Sequence, residues 1–272
     1  MKKKIIIAIV LFCSVSIIFL TLYLLPMMYE KECKERVYSD LQDVVKEAKK
    51  SVIGVIPVKS DVGNVSLNGL GSGVIFEKSG NTYYAITAAH VLEKDAISFK
   101  LFTILTPYQG QTIQASDTVS FVIPDESYHN SLIDAKVEYI SDTDDLAILS
   151  FESTDKLEVI EFEEKNDFIG ERIVAIGHPN GNHYQCSYGS ILSNEKEIMV
   201  KLPTGESRTE KVVEHDAYLN YGNSGGVSIN DRGKLVGINN GGEFSSVFRF
   251  FSKGYMIPVH IVKDNIENWK SK

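Results

Sequence analysis

From residue 51 to residue 257 the chain is a succession of short runs rich in Val, Ile, Phe and Tyr, nearly every one closed by turn residues. That spacing leaves no room for long helices and predicts an all-β fold of about a dozen antiparallel strands, closed as barrels or stacked as a sandwich. The runs fall at 51–58, 71–77, 82–87, 97–105, 118–123, 135–140 and 146–151, then at 172–176, 185–193, 198–202, 227–229, 235–239 and 254–257. Ser79, Gly80 and Asn81 read as one hairpin turn, and Asp231, Arg232 and Gly233 as another. After Pro258, the residues Val259, Val262, Ile266 and Trp269 share one face at helical spacing, so the chain closes on an amphipathic helix.

The N-terminus follows a different pattern. Residues 5–28 carry no charge and follow Lys2, Lys3 and Lys4. At about 1.5 Å per helical residue the stretch reaches roughly 36 Å, against a hydrocarbon core of roughly 30 Å. It is too long for a signal-peptide apolar region and lacks the small-residue cleavage pattern, so residues 1–28 read as a Lys-rich end and an uncleaved transmembrane helix. Residues 29–50 are highly charged, with Val37, Leu41, Val44, Val45 and Ala48 at helical spacing, and read as an amphipathic stalk. Residues 51–272 read as the folded domain. Basic residues flank the span on both sides, so charge alone leaves its orientation nearly unbiased.

A formal net charge of −8, even with the three N-terminal lysines included, argues against a nucleic-acid partner. The three cysteines form no disulfide framework: Cys13 lies in the apolar stretch, Cys33 beside it and Cys186 in the domain, and isolated cysteines are more often buried fillers than bridges. His129, His178, His183, His215 and His260 show no metal-site spacing, and the chemistry below calls for no metal or cofactor.

Three local patterns carry chemistry. Gly222, Asn223, Ser224, Gly225 and Gly226 embed a serine among residues of permissive backbone. A serine that attacks a carbonyl needs N–H groups aimed at the developing oxyanion, and Gly222 and Ser224 are the candidate donors. The same residues also satisfy the nucleophile elbow of α/β-hydrolases, but the only later histidine is His260 at the start of the closing helix, and no strand–helix alternation surrounds Ser224. Thr87, Ala88, Ala89 and His90 place an imidazole directly after a strand among small residues. Its ordinary pKa, about 6.5, suits a base that accepts and returns a proton near neutral pH. Asp144 and Asp145 open an apolar run, where a buried carboxylate needs a partner such as an imidazole N–H. The chain order His, Asp, Ser matches the chymotrypsin arrangement and neither of the two other familiar orders.

With these residues in place, the chain resembles trypsin-like serine proteases, and within them the bacterial HtrA or Deg branch. The segments GSGVIF, ITAAHVL, DDLAILSF, RIVAIGHPNG, EHDAYLNYGNSGG, GKLVGINN and GYMIPVHIV occur in family order. The resemblance implies two perpendicular six-stranded antiparallel barrels with the triad in the cleft between them. It places the acid at Asp145, before Leu146 and Ala147, with Asp144 as the fallback. It also implies that Gly237, Ile238, Asn239 and Asn240 pair with the substrate backbone as an added strand. The sequence departs from the branch in having no PDZ segment after the closing helix, in a long stretch at 93–131, and in Val227 where proline is usual. Tyr218 stands six residues before the serine, where preference for Lys or Arg would need an acid. If it lines the primary pocket, small or aliphatic residues are preferred there; otherwise its ring packs in the core.

The expectation is therefore a single-pass membrane serine endopeptidase with its domain outside the cytoplasm, acting on extended or unfolded polypeptides through Ser224, His90 and Asp145. A homo-oligomer is compatible with this. The competing readings are an inactive protease-fold scaffold and an esterase-type acyl hydrolase.

Overall fold

The computed structural model describes residues 41–61, 64–67, 70–92, 96–103, 111–115, 118–122, 131–179, 184–201, 205, 207–245 and 250–272. The apolar stretch at 5–28 and most of the stalk lie outside them. No helix among the described residues is long and apolar enough to cross a membrane. Residues 41–48 are helical.

The first half is built from β1 (Val52–Asp61), β2 (Asn64–Leu67), β3 (Gly71–Ser79), β4 (Thr82–Ala88), β5 (Ser98–Phe102), β8 (Ile133–Ser141) and β9 (Leu146–Glu152), while β6 (Gln111–Ala115) and β7 (Thr118–Val122) pair with each other as a separate two-stranded sheet. The order β1-β3-β4-β9-β8-β5 closes because β5 also pairs with β1, Gly54 opposite Phe102 and Val58 opposite Ser98. This six-stranded barrel has no free edge between its members. Alternation along the strands sends Ile53, Val55, Tyr83, Ala85, Ala147 and Leu149 into one apolar cluster. In β9 Leu146 through Phe151 are all buried, so both faces of that strand are covered.

The second half contains β10 (Arg172–Gly177), β11 (Gln185–Ser190), β12 (Lys196–Lys201), β13 (Ser207–His215), β14 (Val227–Ile229), β15 (Leu235–Ser245) and β16 (Phe250–Pro258), all antiparallel in the order β11-β10-β14-β15-β16-β13-β12. Just beyond β11, Ile191 bridges His215 at the end of β13. Phe168, Ile173, Ala175, Val213, Val236 and Met256 belong to the core of this half.

Helix α1 (Val259–Lys270) closes the chain as its periodicity predicts, burying Val259, Ile261, Val262 and Ile266. Its Trp269 packs on Phe76 and Tyr84 of the first barrel, at ring separations of 6.0 and 5.0 Å. Both predicted hairpin turns are present, Ser79 pairing with Thr82 and turns occupying 231–233. Strands β2, β6 and β13 were not predicted.

His215 ends β13 fully buried, its ring against Gly254, and among the described residues neither ring nitrogen has a well-aligned hydrogen-bond partner. Burial pushes the imidazole pKa down to about 4, which the charge of Asp216 and a loose approach to the Ala217 main chain offset only in part. The unfolded chain protonates this histidine near its ordinary pKa of about 6.5, so its contribution is fully present above that pH and is lost as pH falls towards 4. The shift corresponds to about 3 kcal/mol. Thermal unfolding followed from pH 7 to pH 4.5 is expected to show a steeper fall in Tm for the wild-type chain than for His215→Leu; parallel curves would remove His215 from the acid response.

Candidate active site

Strand register brings the first two candidate residues together. Because β4 and β9 pair with Ala88 opposite Leu146, the residues following Ala88 meet those preceding Leu146. There β4 passes into a 3-10 turn, Ala89–Val91, and Ala89 N donates to Asp145 O at 2.8 Å. Asp145 closes the 142–145 turn between β8 and β9 with φ of +53°, a left-handed conformation that aspartate tolerates better than most residues.

The Asp145 carboxylate is 1% exposed and accepts from His90 N (2.9 Å) on Oδ1 and from His90 Nδ1 (2.6 Å) and Asn240 Nδ2 (2.9 Å) on Oδ2, and Arg208 Nη2 pairs with Oδ1 at 3.1 Å. Enclosure favours the neutral acid. It is outweighed by the His90 hydrogen bond and charge together with the charge of Arg208, and the carboxyl is held below its usual pKa. The His90 side chain is 43% exposed. Enclosure of its bonded edge works against the imidazolium, but the hydrogen bond and charge of Asp145, reinforced by Glu210, prevail over it and over Arg208, and the pKa is raised. An ionised acid on Nδ1 fixes the tautomer that leaves Nε2 free to accept a proton.

Asp144 points elsewhere. It accepts from Ser141 Oγ at 3.0 Å and from Asn265 Nδ2 of α1 at 2.9 Å, holding the turn against the helix.

Ser224 lies in the loop between β13 and β14. Its carbonyl accepts from Ser72 N at 2.8 Å, and Gly225 N donates to Asn239 O at 2.7 Å. Ser72 is the anchor of this loop. Its Oγ donates to Gly222 O at 2.7 Å and accepts from His178 N at 3.0 Å. With the hydroxyl proton given to Gly222, the 3.1 Å contact between Ser72 Oγ and His178 Nδ1 requires an Nδ1–H donor. Gly222 has φ of +98°, and among the described residues the N–H groups of Gly222 and Ser224 donate to no protein acceptor. Two such unused donors on one turn are what an oxyanion requires.

The Ser224 hydroxyl is turned towards β15. It donates to Asn240 O at 2.9 Å, and no hydrogen bond joins it to His90 among the described residues. Asn240 thus touches both ends of the constellation, its carbonyl on Ser224 and its amide on Asp145. Its predicted role was substrate pairing alone, and nothing in local sequence marks the amide contact.

The predicted substrate strand needs correction in register. Gly237 and Ile238 pair with β14 on one side and β16 on the other, and the Asn239 N–H and C=O are taken by Gly226 and Gly225. Their main chain has no edge left for an added strand. Gly241 and Gly242 pair with β16 alone among the described residues, and Asn240 is the residue skipped by the register between Asn239 and Gly241. Tyr218 is 43% exposed rather than packed in the core, with its Oη accepting from Asn220 Nδ2. His260 pairs with Glu195 at 2.9 Å; His129 and His183 lie outside the described residues.

Residues 71–238 match the sequence profile of the trypsin-like peptidase domain. The chain is 27% identical over 249 residues to the serine protease Do-like HtrA of Bacillus subtilis, covering 86% of this chain and 49% of that protein. It is 29% identical over 204 residues to the probable periplasmic serine endoprotease DegP-like of Rickettsia conorii, covering 74% of this chain and 34% of that one. The chain spans half or less of the length of these curated relatives. In fold it is similar to the active form of the Rv3671c protease of M. tuberculosis, with a TM-score of 0.60, 18% identity and 82% coverage of each chain.

Proposed function

Since the chain belongs to the trypsin-like peptidase family, with relatives that are serine proteases by name, we propose that it is a serine endopeptidase acting through an acyl-enzyme on Ser224. In this reading the Ser224 hydroxyl leaves the Asn240 carbonyl and turns to His90 Nε2, which takes its proton as the oxygen attacks the scissile carbonyl. Asp145 holds the imidazole and stabilises its charge. The Gly222 and Ser224 N–H groups receive the oxyanion. His90 then returns the proton to the leaving amine, and water repeats the sequence to release the acyl group.

The observation that carries this reading is Asn240, which contacts the serine and the acid at once and so makes one site of Ser224, Asp145 and His90. The β15 edge at Asn240–Gly242 is proposed to receive the substrate main chain as an added strand, a mode that depends little on side chains and suits extended polypeptide. The exposed Tyr218 ring is assigned to the primary pocket, at a position where preference for Lys or Arg would need an acid, so a small or aliphatic residue is expected there.

The second sheet is proposed as the second barrel of the family, supported by the Ile191–His215 bridge between its β11 and β13 sides. Residues 5–28 are proposed as a single-pass anchor, with 29–50 as stalk and 51–272 as a protease domain outside the cytoplasm, in keeping with the periplasmic DegP-like relative.

Casein and a simple ester are the discriminating substrates. The proposal expects casein cleavage by the full chain and its loss in Ser224→Ala. Ester turnover without casein cleavage would indicate an acyl hydrolase. Inertness towards both would favour a scaffold whose serine stays engaged by Asn240.

A further inference from the structure

The acid of the proposed triad is the outer member of a larger buried cluster. Arg208 and Glu210 lie on β13, a strand of the second sheet. The Arg208 guanidinium reaches across to the turn carrying Asp145. Nη1 donates to Asp142 O at 2.7 Å, Nη2 stands 3.1 Å from Asp145 Oδ1, and Nε donates to Glu210 Oε1 at 2.9 Å, an oxygen that Nη2 also contacts. Asn240 Nδ2 bridges the two carboxylates, at 2.9 Å from Asp145 Oδ2 and 3.1 Å from Glu210 Oε2. Glu210 is 3% exposed and Asp145 1%.

Both carboxylates are enclosed beside the same cation, and the planar fork of arginine reaches both and the turn carbonyl at once. The cation has a consequence for catalysis. Arg208 with Asp145 alone would be neutral and would attract an imidazolium weakly. Glu210 restores one negative charge, so the cluster reaches neutrality only when His90 takes the serine proton.

We propose that Arg208 and Glu210 are positioning residues of the reaction: Arg208 locks the 142–145 turn and the Asp145 carboxylate onto His90, and Glu210 returns the negative charge that imidazolium formation needs. The inference rests on the triad reading above. Neither residue touches the reacting atoms: Arg208 acts through Asp145, and Glu210 through its contacts with Arg208 and Asn240 and through its charge near His90. A merely structural role, stapling two sheets, predicts lost stability and nothing more.

The pH profile separates the two roles. The charged groups acting on His90 are Asp145 from the β8–β9 turn, and Glu210 and Arg208 from β13. Removing the negative charge of Glu210 lowers the proton affinity of His90; removing the positive charge of Arg208 raises it. In the full-length chain, Glu210→Gln is expected to lower kcat about tenfold and to move the acid limb of kcat/KM to lower pH. Arg208→Gln is expected to lower kcat about a hundredfold through the loosened turn and to move the limb to higher pH. Arg208→Lys keeps the cation without the fork, so it restores the wild-type limb with only part of the rate. Should Arg208→Gln fail to fold, the nearly isosteric Glu210→Gln decides alone. Folded variants with wild-type kcat and an unmoved limb, or limbs moving in the same direction, overturn the inference while leaving an active wild type and its triad standing. An inactive wild-type chain overturns the triad reading itself.

Discussion

Asp145→Asn is expected to lower kcat by about ten-thousandfold while the chain stays folded. The carboxylate takes three hydrogen-bond donors and the Arg208 ion pair on two oxygens. An asparagine amide offers one acceptor oxygen, and its NH2 must face either His90 Nδ1 or the Arg208 side. Facing Nδ1, it demands an acceptor there and drives the proton to Nε2, the nitrogen that has to receive the serine proton. Asparagine also tolerates φ near +53°, so the turn itself survives. Steady-state kinetics beside a thermal melt checks this. A folded variant with more than about a tenth of wild-type kcat would remove Asp145 from the catalytic role, since a positioned base with its partner lost cannot retain so much.

Gly225→Ala is the second large effect, and it acts on structure and rate together. A Cβ there would stand 2.1 Å from Ser72 O, 2.3 Å from Thr87 Oγ1 and 2.8 Å from Ala88 N, at φ of +80°. Ser72 and Thr87 are fully buried and hydrogen-bonded to each other, so neither yields cheaply. The loop must shift, giving up the Gly225–Asn239 bond and moving Ser224 with it. The expected cost is about 3 kcal/mol or more, a fall in Tm of roughly 10 °C, with near-complete loss of activity. Gly170 supplies the comparison. Its φ is +77° with nothing within 4 Å of a new Cβ, so Gly170→Ala bears only the backbone strain, about 1–2 kcal/mol, and keeps its activity. Equal losses in the two variants would show that packing against Ser72 does not hold the nucleophile loop.

Much of the candidate site is legible in the sequence because its patterns are local. A serine among glycines and a histidine at a strand end among alanines are both patterns of neighbouring residues. Choosing between Asp144 and Asp145 is different, since it depends on which carboxylate the 142–145 turn directs at His90. The resemblance to a family made that choice, and the contacts of Asp144 with Ser141 and Asn265 give its physical content. The substrate strand was misplaced for a similar reason. The run at 235–239 reads as a strand, but sequence does not show that β14 with Gly225 and Gly226 on one side, and β16 on the other, cover its edges as far as Asn239. The most instructive omission is β13. Its SRTEKVVEH sequence is not among the predicted runs, and the structure places its Arg208 between Glu210 and Asp145. Their partners lie far away in sequence, and no local periodicity carries that information.

The central claim is that Ser224 is a nucleophile activated by His90. Reaction of the full-length chain with a fluorophosphonate, followed by mass mapping of the adduct, addresses it most directly, because only an activated hydroxyl is phosphonylated at a useful rate. The account predicts a single adduct on Ser224, absent in Ser224→Ala and strongly slowed in His90→Ala. A well-folded wild-type chain that takes up no probe, or that carries the adduct on another residue, would contradict it.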